Sequence, residues 1–306
     1  MTATGSSTGH GKVILVGEHA AVYGHPALAG ALACGVTLTA TLTDATDLTL
    51  HIGGWDLRVN AGDDHPVARA LATVAGALDV TAATIEGAAD VPPAAGLGSS
   101  AALAVALTRA LAAATGRALD DAALEEIANR AERCFHGNPS GIDVAIANRG
   151  GLGLYRRGHG LVAIAAAPLP VLIGLSGQPR STAAMVARVA QARAARPAAV
   201  DAELEALGAA ATCAAALVAA PAVDLSALGE LFTAAHARLS GLGVSAPILD
   251  AMVAAAAAAG ACGAKLTGGG GGGAVIALAP GREDAVLAAW RAMGTDGFVT
   301  RVGVPA

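Results

Sequence analysis

Residues 92–101 combine two glycines and two serines, in the order Pro-Pro-Ala-Ala-Gly-Leu-Gly-Ser-Ser-Ala, directly before an apolar stretch rich in Ala, Leu and Val. Gly96 and Gly98 allow the backbone to curl closely around a ligand, and a helix start leaves several N–H groups unpaired. This combination is typical of a phosphate-binding site. A helix with a serine cap is the alternative, although a cap accounts for only one of the serines. The spacing matches neither a P-loop nor a Rossmann glycine pattern.

Two carboxylates flank a bend that the sequence forces on the chain. Residues 120–135 have helical periodicity and place Glu132 in the last turn, while Pro139 prevents the helix from continuing. The bend can bring Asp143 back beside Glu132. Glu132 and the Ser100 hydroxyl fit the oxygen ligands that Mg²⁺ prefers, and Asp143 could deprotonate an attacking hydroxyl. Taken singly, Glu132 on a solvated helix face and Asp143 as an ordinary helix N-terminal residue are the alternatives.

A predicted strand near the N-terminus runs into a polar turn. Lys12 stands at its start, where a positive charge could stabilise charge that develops during phosphoryl transfer. Glu18 and His19 follow in the turn and offer polar contacts to a substrate. A surface glutamate and a structural histidine remain open alternatives.

Six consecutive glycines, residues 268–273, follow Lys265-Leu266-Thr267 between two strand-like stretches. Such a run costs conformational entropy, so we expect a close backbone approach to a ligand or a loop rather than a flexible linker. Lys12 and Lys265 are the chain's only two lysines, and both lie in glycine-bearing motifs. This distribution suggests that a compact ammonium group is needed at these positions.

Strand and helix patterns are mixed along the chain without a regular βαβ alternation. The sequence therefore predicts an α+β fold rather than a doubly wound parallel sheet. Predicted strands cover residues 12–16, 36–42, 48–52, 55–59, 84–86, 152–155, 171–175, 274–278 and 298–302; predicted helices cover 66–78, 100–114, 120–135 and 282–293, with nearly continuous helix over 181–260, broken near Pro197, Pro221 and Gly241. A change in composition at residues 168–170 divides the chain into two predicted domains, 1–168 and 169–306.

Composition excludes several classes of protein. The high hydrophobic content of 54% comes mainly from alanine, and the most apolar run, residues 251–264, is too short and too rich in alanine and glycine for a membrane span, so we expect a buried helix there. A net charge of -5 argues against a nucleic-acid partner. Four scattered cysteines predict reduced thiols, and the N-terminus lacks the pattern of a signal peptide. A cytoplasmic protein is expected.

With these segments in hand, the sequence resembles the GHMP kinase superfamily, and within it the mevalonate kinase family. Residues 92–101 are similar to the superfamily's Pro-x3-Gly-Leu-Gly-Ser-Ser-Ala loop, and residues 265–273 to its C-terminal glycine motif. The narrower resemblance rests on residues 11–19, on His-Gly-Asn-Pro-Ser-Gly-Ile-Asp at 136–143, and on Pro-Arg-Ser-Thr at 179–182. It extends from about residue 10 to residue 303.

The resemblance implies a fold and a set of roles. The N-terminal domain would resemble ribosomal protein S5 domain 2, the C-terminal domain would be ferredoxin-like, and the active site would lie between them. ATP and Mg²⁺ are the implied cofactors and mevalonate the implied acceptor. The implied residues are Asp143 (catalytic base) and Lys12 (its charge partner); Pro93, Gly96, Leu97, Gly98, Ser99 and Ser100 (nucleotide); Ser100 and Glu132 (magnesium); and Glu18, His19, Arg180 and Thr182 (mevalonate).

Other readings stay open at this point. A relative that phosphorylates phosphomevalonate or another small alcohol could share every loop, and a basic pocket for a substrate phosphate would favour it. A non-catalytic nucleotide sensor could keep the glycine loops, but it would not need Glu132, Asp143 and Lys12 together. A homodimer is a further possibility that the sequence leaves open.

Overall fold

The computed structural model describes residues 3–136, 140–179 and 181–306, and it confirms the α+β class. Within these residues the strands are β1 (Thr4–Val16), β2 (Ala27–Leu42), β3 (Leu48–Ile52), β4 (Leu57–Asn60), β5 (Ala83–Ala89), β6 (Leu152–Arg156), β7 (Gly160–Ile164), β8 (Leu169–Leu175), β9 (Gly263–Thr267), β10 (Ala274–Leu278) and β11 (Asp296–Val302). The helices are α1 (Pro66–Ala77), α2 (Ser99–Ala114), α3 (Asp121–Glu132), α4 (Ile142–Arg149), α5 (Thr182–Ala195), α6 (Pro197–Val218), α7 (Leu225–Gly241), α8 (Pro247–Ala258) and α9 (Glu283–Ala292).

The N-terminal part of the chain is organised by the long antiparallel pair of β1 and β2. Strand β2 also pairs with β5 and β6, and β3 pairs with β5 in parallel. Helix α2 packs on β1 at very short range, because a Cβ atom at Gly9 would lie 2.1 Å from the Ala102 carbonyl oxygen. Most of α2 is buried, which explains its apolar sequence. The helix start that carries Ser99 and Ser100 is thereby fixed against β1.

The C-terminal strands form an antiparallel sheet in the order β11-β8-β10-β9. Helices α5 to α8 connect β8 to β9, and α9 connects β10 to β11. This βαββαβ order with a 4-1-3-2 strand arrangement is the ferredoxin-like architecture expected from the resemblance. Val302 of β11 pairs with Leu32 of β2, which joins the two sheets. The domain boundary at residue 168 stays a prediction.

Several boundaries differ from the sequence-based expectation. Strand β2 begins at Ala27, well before residue 36, because burial among neighbouring strands outweighs the weak β-propensity of its alanines and glycines. Helix α3 ends at Glu132, and Asp120 is its N-cap. Strand β7 was not predicted, and helix α4 was indicated only by the alternative that placed Asp143 at a helix N-terminus. Helix α8 ends at Ala258 and buries only one face, so the prediction of a buried helix over residues 251–264 is wrong in extent.

None of the helices in the described ranges combines the length and the apolarity that crossing a bilayer requires. The breaks predicted in the helical region occur: α5 ends at Ala195 and α6 begins at Pro197. Proline is well suited to a first helical turn, where its missing N–H would be unpaired in any case. The break separates α5, whose first residue is Thr182, from the much longer α6.

Candidate active site

The glycine-rich loop lies directly against β1 at Lys12. The backbone N–H of Lys12 donates to the Leu97 carbonyl oxygen at 2.7 Å, and a Cβ atom at Gly98 would lie 2.6 Å from Lys12 Cγ. Gly98 has a φ of 73° and is the N-cap of α2, so neither serine caps the helix. Both serine hydroxyls are therefore available for other partners. Pro93 is exposed, Gly96, Leu97 and Gly98 are buried, and Ser99 and Ser100 are half-buried.

Glu132, at the C-terminal end of α3, reaches the start of α2. The Ser100 hydroxyl donates to Glu132 Oε1 at 2.8 Å, and Glu132 is 1% exposed. Burial, followed by the negative charge of Asp143, raises the pKa of Glu132 to about 8. His136 Nε2 lies 3.7 Å from the same carboxylate oxygen. A buried carboxyl with a neighbouring carboxylate is the environment of a functional acid or a cation ligand.

Asp143 lies in the first turn of α4, after Gly141, which is the N-cap of this helix and has a φ of 86°. Lys12 Nζ lies 2.9 Å from Asp143 Oδ1, with the Lys12 side chain 5% exposed and the Asp143 side chain 31% exposed. Helix α4 thus places Asp143 beside β1. Asp143 is also close enough to Glu132 for its negative charge to raise the pKa of that carboxyl. The predicted convergence of the two carboxylates is observed. The bend predicted at Pro139 stays a prediction, because residues 137–139 lie outside the described residues.

The residues present fit a magnesium ion. Glu132 Oε2 is buried and has no hydrogen-bond partner among the described residues, and the Ser100 hydroxyl is beside Oε1 of the same carboxylate. An unpaired buried oxygen is costly unless another group uses it. No group of three or more His, Cys, Asp or Glu side chains that could hold a metal ion occurs in the described ranges. Mg²⁺ takes few protein ligands and completes its octahedron with phosphate oxygens and waters, so one carboxylate with one hydroxyl could hold it.

The turn after β1 is held by the C-terminal part of the chain. Glu18 forms an ion pair with Lys265 of β9, and both side chains are fully buried. His19 is 6% exposed, and its Nε2 lies 2.9 Å from the Gly269 carbonyl oxygen. The φ of His19 is 61°, which is unusual for a residue with a side chain and is typical of functional turns. The surface alternative for Glu18 is wrong, and its predicted contact with a substrate stays a prediction.

The six-glycine run is a packed turn rather than a linker. A Cβ atom at Gly270 would lie 2.0 Å from the Val244 carbonyl oxygen, and one at Gly272 would lie 2.8 Å from that of Gln178. Gly269 lies against Thr182, whose Oγ1 would be 3.0 Å from a Cβ atom there. Thr182, at the start of α5, therefore lies beside the turn that also contacts His19. Arg180, the remaining predicted substrate residue, is outside the described residues.

Two supporting contacts were missed by the sequence reasoning. The partner of Lys265 could not be identified, because Glu18 is distant along the chain; the only signal was that the chain's two lysines both lie in glycine-bearing motifs. Arg109 of α2 also donates to the side chain of Asn148 in α4, at 2.8 Å, and Asn148 donates to Asp121 of α3. This partly buried network, centred on the buried Asn148, connects the three helices that carry Ser100, Glu132 and Asp143. No sequence motif indicates it.

Two domains of one protein family match this chain in separate segments. Residues 65–151 match the GHMP kinases N terminal domain, and residues 216–296 match the GHMP kinases C terminal domain. The first segment contains the glycine-rich loop, Glu132 and Asp143. The second contains Lys265 and the glycine run.

Curated relatives align over nearly the entire chain. A mevalonate kinase of Pyrococcus horikoshii is 34% identical over 313 aligned positions, which cover 95% of this chain and 93% of the relative. A mevalonate kinase of Aeropyrum pernix is also 34% identical, with coverage of 88% and 86%. Identity of 34% over most of both proteins indicates that this chain and these relatives belong to one family, in the N-terminal and the C-terminal part alike.

Solved structures show the same architecture. A mevalonate kinase of L. major in complex with R-mevalonate superposes with a TM-score of 0.87 at 28% identity, covering 100% of this chain and 97% of that one. A Lactococcus lactis galactokinase superposes with a TM-score of 0.81 at 18% identity, covering 99% and 94%. A Streptococcus pneumoniae phosphomevalonate kinase superposes with a TM-score of 0.77 at 17% identity, covering 97% of this chain and 99% of that one. The last two share the fold alone.

Proposed function

Because this chain belongs to the GHMP kinase family, among its mevalonate kinases, we propose that it transfers the γ-phosphoryl group of ATP to the C5 hydroxyl of mevalonate. The observation that carries the proposal is the ion pair between Lys12 and Asp143, which lies beside the glycine-rich start of α2. A partly exposed carboxylate held at a phosphate-binding helix start is suited to phosphoryl transfer.

Asp143 acts as the general base in this proposal. Its carboxylate accepts the proton of the attacking hydroxyl, a contribution of about 10² to 10⁴ in rate for a positioned base. Lys12 Nζ, 2.9 Å from Oδ1, orients the carboxylate and offsets negative charge as the phosphoryl group moves. Little covalent chemistry is required of the protein, so positioning and electrostatics supply most of the catalysis.

The nucleotide phosphates lie over residues 96–100 in this proposal, where backbone N–H groups at the start of α2 are unpaired. Pro93 and Ser99 belong to the same nucleotide-contacting segment. Ser100 and Glu132 would hold Mg²⁺, which when bound offsets the negative charge of the phosphate oxygens. Glu132 must be ionised to serve as a ligand, against the raised pKa that burial gives it.

The acceptor site is formed by the turn after β1 and the start of α5. His19 and Thr182 both lie against Gly269, which supports a common pocket wall. Glu18 and Arg180 complete the proposed set of residues near mevalonate. The cytoplasm as compartment and a homodimer as assembly are further parts of the proposal, carried by the sequence alone.

Phosphomevalonate is the less supported acceptor. A second phosphate would be held by cationic side chains, and both lysines of the chain already have carboxylate partners, Asp143 for Lys12 and Glu18 for Lys265, so neither lysine is free for it. The phosphomevalonate kinase named above is only 17% identical, so its likeness concerns the fold. The relatives at 30% identity or more that are named here are mevalonate kinases.

An ATP-consumption assay over a panel of acceptors tests the proposal. The panel contains mevalonate, phosphomevalonate, galactose and homoserine, each with ATP and Mg²⁺. We expect mevalonate to give the highest kcat/KM by at least about tenfold, which corresponds to about 1.4 kcal/mol in transition-state binding. A higher kcat/KM for any other acceptor would refute the assignment of the substrate.

A further inference from the structure

The most completely buried charged pair among the described residues joins the turn after β1 to β9. Lys265 of β9 is 0% exposed and Glu18 is 1% exposed, and the ammonium of Lys265 donates to Glu18 Oε1 and to the Leu266 carbonyl oxygen at 2.7 Å. Burial raises the pKa of Glu18 and lowers the pKa of Lys265, while each charge opposes the shift of the other. A buried pair of this kind is weak evidence for a gain in stability, so its presence calls for another reason.

The pair lies between the turn after β1 and the strand that leads into the glycine run. On one side, Glu18 is followed by His19, which contacts the Gly269 carbonyl oxygen. On the other side, Lys265 is two residues before Thr267, whose Oγ1 donates to the Ile14 carbonyl oxygen at 3.0 Å and accepts from the Ile14 N–H at 3.2 Å. Side chains of the turn and of β9, together with the backbone of β1 at Ile14, therefore tie two distant parts of the chain together.

The glycine run, residues 268–273, connects this part of the fold to the proposed acceptor pocket. Gly269 contacts Thr182, so the position of the run sets the distance between the His19 side and the Thr182 side of the pocket. Glycines carry no side chains, so side-chain packing within the run cannot fix its position. Its placement depends on contacts from outside, among them the contact of Gly269 with His19, the residue that follows Glu18.

We propose that Lys265 and Glu18 act as one positioning unit that fixes the residue 17–19 turn against the glycine run and thereby sets the affinity for the acceptor alcohol. Neither residue needs to touch the acceptor for this role. The inference rests on the proposed function for its kinetic readout, whereas its structural readout requires no substrate. ATP binding, which is proposed at the start of α2, should depend on the pair only weakly.

The test is a double-mutant cycle with Lys265→Met, Glu18→Gln and the double variant. Each single change leaves a buried charge without its partner and should lower the Tm, whereas the double variant removes both charges and should recover most of that loss. If the pair positions the turn as a unit, all three variants raise the KM for mevalonate by a similar factor of about ten, with the KM for ATP changed less than threefold.

Two kinetic outcomes would overturn the proposal. A normal mevalonate KM in Lys265→Met would show that Glu18 acts without its partner. Recovery of both Tm and mevalonate KM in the double variant would show a purely structural role. The exposed pair of Arg238 and Glu203, with both side chains 41% exposed, provides the matched control, and Arg238→Met should change neither quantity appreciably.

Hydrogen exchange separates this inference from the proposed function. In the substrate-free proteins, backbone amides of residues 268–273 should exchange faster in all three variants than in the wild type, with those of α2 unchanged. Unchanged exchange at residues 268–273 in the double variant would refute the positioning role. A wild-type protein that does not phosphorylate mevalonate would refute only the substrate assignment, because the exchange result stands without it.

Discussion

Lys12 Nζ lies 2.9 Å from Asp143 Oδ1, although Lys12 belongs to β1 and Asp143 to the first turn of α4. The lysine is almost completely buried, while the carboxylate keeps 31% of its side-chain surface exposed. The pair therefore fixes a carboxylate that a substrate can still reach. Burial of the lysine stem against Gly98 connects this pair to the glycine-rich loop, so base and phosphate-binding segment are positioned by one side chain.

Replacing Gly98 should disrupt this connection. A Cβ atom at Gly98 would lie 2.6 Å from Lys12 Cγ, and the φ of 73° already disfavours any side chain. In Gly98→Ala, Lys12 must move away from Asp143, so we expect kcat/KM for mevalonate to fall at least about 100-fold, in line with the loss of one preorganised electrostatic contact. Steady-state kinetics measure the effect.

Gly116 offers a matched control for the backbone strain. It has a φ of 69°, nearly that of Gly98, but no atom lies within 4 Å of a Cβ atom at this position. Gly116→Ala should therefore cost about 1 kcal/mol in the free energy of unfolding, from the left-handed backbone alone, and leave the kinetics unchanged. Equal losses of activity in the two variants would contradict the role assigned to Gly98.

Glu132 should make stability depend on pH in the absence of metal. Its pKa is about 8 in the folded protein against an ordinary value of 4.5, so between these values the folded state binds more protons than the unfolded state. The stability contribution of this group is fully present below pH 4.5 and is lost as the pH rises through 8. The free energy of unfolding in EDTA should therefore decline over this range because of Glu132.

Glu132→Gln isolates this effect. The amide keeps an acceptor for the Ser100 hydroxyl and cannot ionise, so at pH 8 in EDTA the variant should be more stable than the wild type and at pH 5 nearly equal. Its kcat with Mg²⁺ should fall at least about 100-fold. Denaturant titrations at the two pH values measure the stability difference. Glu126→Gln, on the exposed face of the same helix, is the control, and a similar pH effect there would contradict the assignment.

The cysteines should differ sharply in reactivity. Burial raises the pKa of Cys34 to about 12, so at pH 8 only about 10⁻⁴ of its thiol is ionised, whereas Cys213 on α6 is exposed. Iodoacetamide at pH 8 should modify Cys213 in the native protein and leave Cys34 unmodified until urea unfolds the chain. Mass spectrometry of tryptic peptides measures this. Native alkylation of Cys34 at the rate of Cys213 would contradict its buried position.

Local patterns in the sequence predicted much of this fold. Strands β3 and β10 begin and end where the sequence indicates, and Pro197 marks the start of α6 as expected. The early part of β2 was missed because its alanines and glycines carry little β-propensity of their own, and pairing with β1 and β6 decides their conformation. Tertiary contacts of this kind are invisible in a window of neighbouring residues.

In the candidate site, too, some contacts could be predicted from the sequence and others could not. The Ser100–Glu132 and Lys12–Asp143 contacts were expected, since glycine, serine and carboxylate motifs point to one kind of chemistry and the family resemblance supplies their pairing. The burial of Glu18 against Lys265 was not expected, because a glutamate in a polar turn is more often at the surface. A long-range partner of this kind leaves no local signal, and only the folded chain reveals it.

The proposed role of Asp143 is tested most directly by Asp143→Asn, with turnover and nucleotide binding measured on the same preparation. The amide keeps the size of the carboxylate but cannot accept the proton, and the substitution leaves the residues of the loop proposed to hold the phosphates unchanged. We predict that kcat for mevalonate phosphorylation falls by at least about 10²-fold while the Kd for ATP stays within about threefold of the wild-type value. Turnover within tenfold of wild type would contradict the account.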